Sequence, residues 1–290
     1  MKKVASGVAK KILALLVTVL VLCAILIGVV RELVHQIDDF KPELVAFVNQ
    51  KTGMYLSIET IKGSWTGLVP RFLVHDISLR AEAGSEPLMS AKTVDFELLL
   101  IRSVKNRQPR FRLNIDGAEL HAEYKDGRFS LRGFTPDKKQ SKEKLEEVVD
   151  FIVAQPRIAI TNTELSVDGL YAQRVDLHVH QLQSEAGLQR RYLKGYVSAS
   201  GPGHLSFRLT GRVSGSVFSK SGLSGNVFLD SEATDWLPWI PQQHRSFANA
   251  KVESLTGGGR FWVKLKRGAL AEIVSDFTAN DIKLSSSNDV

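Results

Sequence analysis

Two trios of side chains are spaced for metal or acid–base chemistry. Glu119, His121 and Glu123 alternate along one run, and Asp176, His178 and His180 along another. In an extended chain residues i, i+2 and i+4 share a face, so either trio could converge on a cation. The same alternation has a plainer meaning. Leu120, Ala122 and Tyr124 interleave with the first trio, and Val175, Leu177 and Val179 with the second. Each trio therefore reads as the solvated face of a strand whose other face is apolar. No HExxH or CxxC stands elsewhere, and no GxSxG presents a nucleophile. Asp38-Asp39 and Glu146-Glu147 read as solvated helix faces. Gly63-Ser-Trp-Thr-Gly67 has no helix directly after it to aim amides at a phosphate, and Gly257-Gly258-Gly259 precedes a strand pattern. No catalytic, cofactor-binding or metal residue is expected, and the sequence reads as a non-enzyme.

The positioning elements begin with a charge-free run. Ile12 to Val30 is nineteen residues, fourteen of them Leu, Ile or Val. As a helix it covers roughly 28 Å, one hydrocarbon core, and should insert by roughly −5 kcal/mol. It ends in Val29-Val30-Arg31-Glu32, with no small-x-small cleavage site, and Leu22 before Cys23 does not fit a lipoprotein signal. The reading is a retained signal anchor over 12–30. Lys2, Lys3, Lys10 and Lys11 precede it without an acid, which places 1–11 in the cytoplasm as a basic tip and the bulk of the chain across the membrane. The first 31 residues hold five of the 38 basic residues and none of the 31 acidic ones, so the remainder carries 33 against 31. A near-neutral outer domain gives no case for nucleic acid. Cys23 is the single cysteine, so no internal disulfide forms.

Residues 31–53 read as a helical segment, with Pro42 in a first turn, an apolar face of Leu44, Val45, Phe47 and Val48, and Gly53 as the stop. From residue 54 the period is two. Val94, Phe96 and Leu98 alternate with acids; Phe111, Leu113 and Ile115 with polar residues; Leu205, Phe207 and Leu209 likewise, as do Phe261, Val263 and Leu265. Lys125-Asp126-Gly127 reads as a hairpin turn. These runs make a first β segment over 54–135 and a second over 157–290. Between them, 136–156 reads as a Lys-rich loop and an amphipathic helix carrying Leu145, Val148, Val149 and Ile152, capped by Ser141 and closed by Pro156. Short echoes recur. Arg112-Leu-Asn-Ile-Asp-Gly-Ala-Glu-Leu120 resembles Arg157-Ile-Ala-Ile-Thr-Asn-Thr-Glu-Leu165, and Val74-His-Asp-Ile-Ser-Leu79 resembles Ala279-Asn-Asp-Ile-Lys-Leu284. They point to a stacked, extendable sheet that continues in a longer protein. Arg102, Lys105, Arg107, Arg110 and Arg112 form a basic stretch read as a soluble loop rather than a lipid-headgroup site. Trp236 and Trp239, in Trp-Leu-Pro-Trp, read as a packed corner rather than a membrane belt.

Together these parts resemble the opening of AsmA-like proteins, closest to the YhdP branch. The resemblance rests on Thr52-Gly53, Ser64-Trp65, Pro70 and Asp76-Ile77-Ser78-Leu79, on the stretch from Phe151 to Gly169, and on Asp235-Trp-Leu-Pro-Trp-Ile-Pro241. It implies a mostly β fold: an elongated, stacked antiparallel, taco-like groove after an N-terminal transmembrane helix, with one or two short amphipathic helices. It also implies an inner-membrane, single-pass periplasmic protein that carries or regulates phospholipid movement toward the outer membrane, with no cofactor. Its partners would be phospholipid acyl chains, the inner membrane and envelope proteins. The expected groove lining is Val94, Phe96, Leu98, Phe111, Leu113, Ile115, Leu205, Phe207 and Leu209. Gly63, Trp65, Gly67 and Pro70 are expected to turn the chain at the groove's start, with Trp65 filling the closed end. An anchored scaffold for envelope assembly is the alternative, and would seal the same faces in a sandwich.

Overall fold

The computed structural model describes residues 28, 31–32, 34, 36–67, 69–125, 128–131, 151–169, 174–187, 190–215, 222–247 and 250–286. The tip at 1–11, all of the expected span except Gly28, and the loop and most of the helix at 136–156 lie outside them. Among the described residues no helix is long and apolar enough to cross a membrane.

The alternating runs do form strands, and the strands form one sheet of thirteen. In chain order they are β1 (Tyr55–Thr66), β2 (Val69–Arg80), β3 (Pro87–Leu98), β4 (Phe111–Lys125), β5 (Arg128–Leu131), β6 (Arg157–Asp168), β7 (Val175–Ala186), β8 (Arg191–Ser200), β9 (His204–Ser214), β10 (Ser224–Asp235), β11 (Ser246–Phe247), β12 (Ala250–Lys266) and β13 (Ala269–Ser286). Neighbours run in sequence order, with β5 beside β4 and both β11 and β13 beside β12. All pairs are antiparallel except one: β4 and β6 are parallel. The fully antiparallel expectation is corrected there. The chain between β4 and β6 has to cross back before pairing, which reverses the direction of the next strand. The pairing sets Arg112 beside Arg157, Ile115 beside Ile160 and Leu120 beside Leu165. The 45-residue echo is thus the register of this pair, with like beside like.

Among the described residues no second sheet covers either face. From β1 to β13 the stack is about 48 Å long at the usual strand spacing.

One helix packs on β1 and a shorter one joins β3 to β4. α1 (Lys41–Thr52) has Pro42 in its first turn and ends at Gly53, whose φ of 72° and N–H to Asn49 O at 2.9 Å make the expected stop. It does not bury an apolar face as expected: Leu44 and Phe47 are 41% and 57% exposed. Polar atoms attach it to the sheet. Asp38 accepts from Ile61 N at 3.0 Å, Asn49 accepts from Leu56 N at 2.7 Å, and Lys41 Nζ donates to Glu59 O at 2.7 Å. These contacts satisfy groups along the open edge of β1 that would otherwise invite another strand. α2 (Leu100–Asn106) takes up the first part of the basic stretch expected as a loop, so Arg102 and Lys105 stand on a helix.

The expected turn from Gly63 to Pro70 is narrower in the structure. Gly63 and Trp65 lie in β1, Pro70 lies in β2, and the chain reverses after Thr66, with Gly67 at a φ of 61°. Gly63 has another role. A Cβ there would stand 1.7 Å from Val34 O, so glycine lets the incoming chain cross β1. Trp65 pairs with Pro70 at the hairpin tip and donates Nε1–H to Gly67 O at 2.6 Å.

A line of irregularities crosses the first half of the sheet. Asp76, Gly117 and Asn162 have φ of 48°, 63° and 48°, and register aligns them across β2, β4 and β6. The apolar phase changes at each. Phe72 and Val74 give way to Ile77 and Leu79, Leu113 and Ile115 to Leu120 and Ala122, and Ile158 and Ile160 to Leu165 and Val167. A left-handed residue bends a strand and resets its alternation, so the phase slip keeps apolar side chains on one side of the crease and the other. Asp116 ties the crease together, accepting from Thr161 Oγ1 at 2.6 Å and Asn162 Nδ2 at 2.8 Å.

Candidate functional site

Register places the expected lining residues on a single face. One row runs Val74, Val94, Ile115, Ile160, Leu182, Gly195, Leu209, Leu229 and Phe261, one residue per strand. The next runs Phe72, Phe96, Leu113, Ile158, Ser184, Leu193, Gly211, Val227, Val263 and Ile273. Side chains opposite one another in a ladder point the same way, so each row is a stripe perpendicular to the strands. Leu98 and Phe111 pair at the end of β3 and β4 on the same face. Aromatic packing extends the stripe there: Phe72 stacks on Phe96 at 5.1 Å, Phe96 meets Phe111 edge-on at 5.8 Å, and Phe111 meets Phe151 at 6.2 Å. Leu205 and Phe207 also share the face, but neither is open. Leu205 is buried, and Phe207 lies under Trp236 at 6.2 Å.

Trp236 also packs against Phe261 and Phe277 and donates Nε1–H to Gly257 O at 2.9 Å. The Trp-Leu-Pro-Trp stretch is therefore a packed corner. Gly257 and Gly259 make room for it, because a Cβ on either would press on Phe277 at 2.6 Å and 3.0 Å.

Two residues of this face were missed in the sequence reading. Gln155, 2% exposed, accepts from Phe111 N at 2.9 Å and donates to Phe151 O at 2.8 Å. Arg191 donates to Ser184 Oγ at 2.8 Å and to Gln155 O at 2.9 Å, and burial lowers its pKa. A Gln just before Pro156 and an Arg in phase with Leu193 were the available signals.

The opposite face is polar. Arg71 forks onto Asp95 at 2.8 and 2.7 Å, Arg112 reaches Glu97 at 3.3 Å, and Arg157 reaches Glu185 at 3.6 Å. The two trios do not converge, and no group of three metal-ligating side chains forms among the described residues. Asp176 instead accepts from Ser166 Oγ at 2.6 Å and Arg174 Nε at 2.7 Å, and its pKa is lowered first by the serine. His180 stacks on Tyr196 at 4.7 Å, and its pKa is lowered by burial and then by His178 and His204.

A single-layer sheet with an apolar stripe along one face and charge pairs on the first half of the other defines a class: a mostly β protein built on one long sheet. The sequence comparisons give the family. The family model described as YhdP protein matches residues 1–289, and the chain belongs to that family. It is 22% identical over 269 residues to the intermembrane phospholipid transporter YhdP of Escherichia coli (strain K12). That match covers 91% of this chain and 20% of the relative, so the chain spans about one fifth of the relative's length. No solved structure matches.

Proposed function

We propose that this chain is an inner-membrane-anchored, periplasmic segment of a lipid carrier, and that its apolar stripe holds phospholipid acyl chains on their way toward the outer membrane. The observation that carries the reading is a pair of rows that together put at least one apolar side chain on each of β2 to β4, β6 to β10 and β12, with no second sheet over them among the described residues. A methylene in water costs about 0.8 kcal/mol, so a 16-carbon chain costs roughly 12 kcal/mol to expose. Only a continuous lining makes passage tolerable, and a stripe repeated at every strand supplies one. The sealed sandwich required by the scaffold alternative has no counterpart among the described residues. The transporter name of the relative supports the choice of cargo. The anchor rests on the charge-free run at 12–30, and the orientation on its flanking lysines. The chain is read as a non-enzyme.

The test is a charge in mid-stripe. Leu182→Asp places a carboxylate in the row between Ile160 and Gly195. The full chain should take up pyrene-labelled phospholipid from donor vesicles, and the variant should take up at least tenfold less while keeping its β circular dichroism. Equal uptake by a folded variant would remove the stripe from the path.

A further inference from the structure

The structure holds a hollow of about 760 Å³ whose lining includes Leu193, Gly211, Val227 and Val263 of the second row together with the residues that alternate with them. The side chains of its rim and floor come from the opposite face of β8, β9, β10, β12 and β13. Register sets Tyr192 beside Arg212, Lys194 beside Thr210, Phe228 beside Thr210 and Trp262, and Trp262 beside Val274. On the first half of the sheet this face carries charge pairs. Here the pattern changes in two ways.

The floor is aromatic. Phe228 and Trp262 meet at 5.4 Å between centroids, and Trp262, Tyr192 and Val274 are 44%, 51% and 51% exposed. Half-exposed rings gathered on one strand face form the kind of patch that marks a binding surface. The rim is cationic. Arg190, Lys194, Arg212 and Lys264 line the hollow with a single acid, Glu272. Lys264 engages Glu272 at 3.4 Å. Arg212 lies over the Tyr192 ring at 5.4 Å, and no carboxylate pairs with Arg190, Lys194 or Arg212 among the described residues.

We propose that this hollow is a second binding site, for an anionic lipid monomer whose head carries uncompensated negative charge. The rim supplies charge-assisted donors for the head, and the aromatic floor covers the first carbons of the tail. The volume suits part of a lipid rather than a whole one. A zwitterionic head brings its own cation into the rim and is disfavoured. The site does not rest on the stripe carrying lipid, since the rim and aromatic floor that define it belong to the opposite face.

The experiment uses the full chain in nanodiscs of zwitterionic lipid, titrated with dihexanoyl phosphatidylglycerol below its micelle concentration, with tryptophan emission as readout. The expected result is a saturable change that is absent in Trp262→Phe. Dihexanoyl phosphatidylcholine and glycerol 3-phosphate should each bind at least tenfold more weakly, as should phosphatidylglycerol to Lys194→Gln/Arg212→Gln. Retained β circular dichroism checks the fold of each variant, and Lys194→Arg should restore binding in the single Lys194 background. The proposal is overturned by no saturable change, by equal binding of the zwitterionic lipid or of the head alone, or by an unaltered double variant. The stripe is tested separately by Leu182→Asp, so failure of one site leaves the other readable.

Discussion

Single side chains set the chain's sensitivity to acid and to small substitutions. Thr161 and Asn162 hold the Asp116 carboxyl below its usual range, and Ser166 and Arg174 do so for Asp176. Groups whose folded pKa is depressed stabilise fully above the unfolded value and lose that contribution as pH falls through the folded one. Both contributions should thus be flat at neutral pH, begin to fade below about pH 4 and be gone only below the depressed folded values. His180 is also depressed, because burial disfavours its cation, so it erodes stability earlier, as pH falls below about 6.5. Urea midpoints should therefore drop between pH 7 and 5.5 in the native chain and drop less in His180→Gln. Equal drops would remove His180 from the account. Gln155 gives a second prediction. Gln155→Leu strands Phe111 N and should cost about 1–3 kcal/mol in urea unfolding. The Gln before Pro156 is a legible signal, but its partner is not, because a buried amide satisfying a strand 44 residues away leaves no periodic trace.

At the level of elements, alternation made most strands legible, since Val94 to Leu98 or Phe111 to Ile115 has no other reading. It also hid the crease. In β4 the apolar positions are odd as far as Ile115 and even from Ala118, and the slip is marked by Gly117 alone. Read as two strands or as one, the composition is the same; only the register across β2, β4 and β6 distinguishes a bend from a break. α2 was missed because a seven-residue helix is too short for a periodic signal. The crease is testable. Gly117→Val forces a branched side chain to a φ of 63° and puts its Cβ 2.7 Å from Lys92 Cδ. It should destabilise by about 1–3 kcal/mol. Asn162→Gly keeps the conformation and loses only the bond to Asp116, so it should cost less than Gly117→Val in the same urea series. The reverse order would mean that the hydrogen bond, not the left-handed backbone, holds the crease.

For the whole molecule, the proposed lipid path is one face of the sheet, an apolar stripe about 48 Å long. The residues expected to line a groove share that face by register; Leu205 is buried there, and Phe207 is half-buried against Trp236. Sequence pattern could not settle openness, because alternating strands serve a sandwich as well as a groove. The most direct measurement places a photo-crosslinking benzoyl-phenylalanine at Phe96, between Phe72 and Leu113 on the stripe, and separately at Glu97 on the charged face. After irradiation of intact cells, phospholipid should be attached at position 96 and not at 97. Lipid at neither position, or equally at both, in a folded and correctly inserted chain would contradict the open stripe.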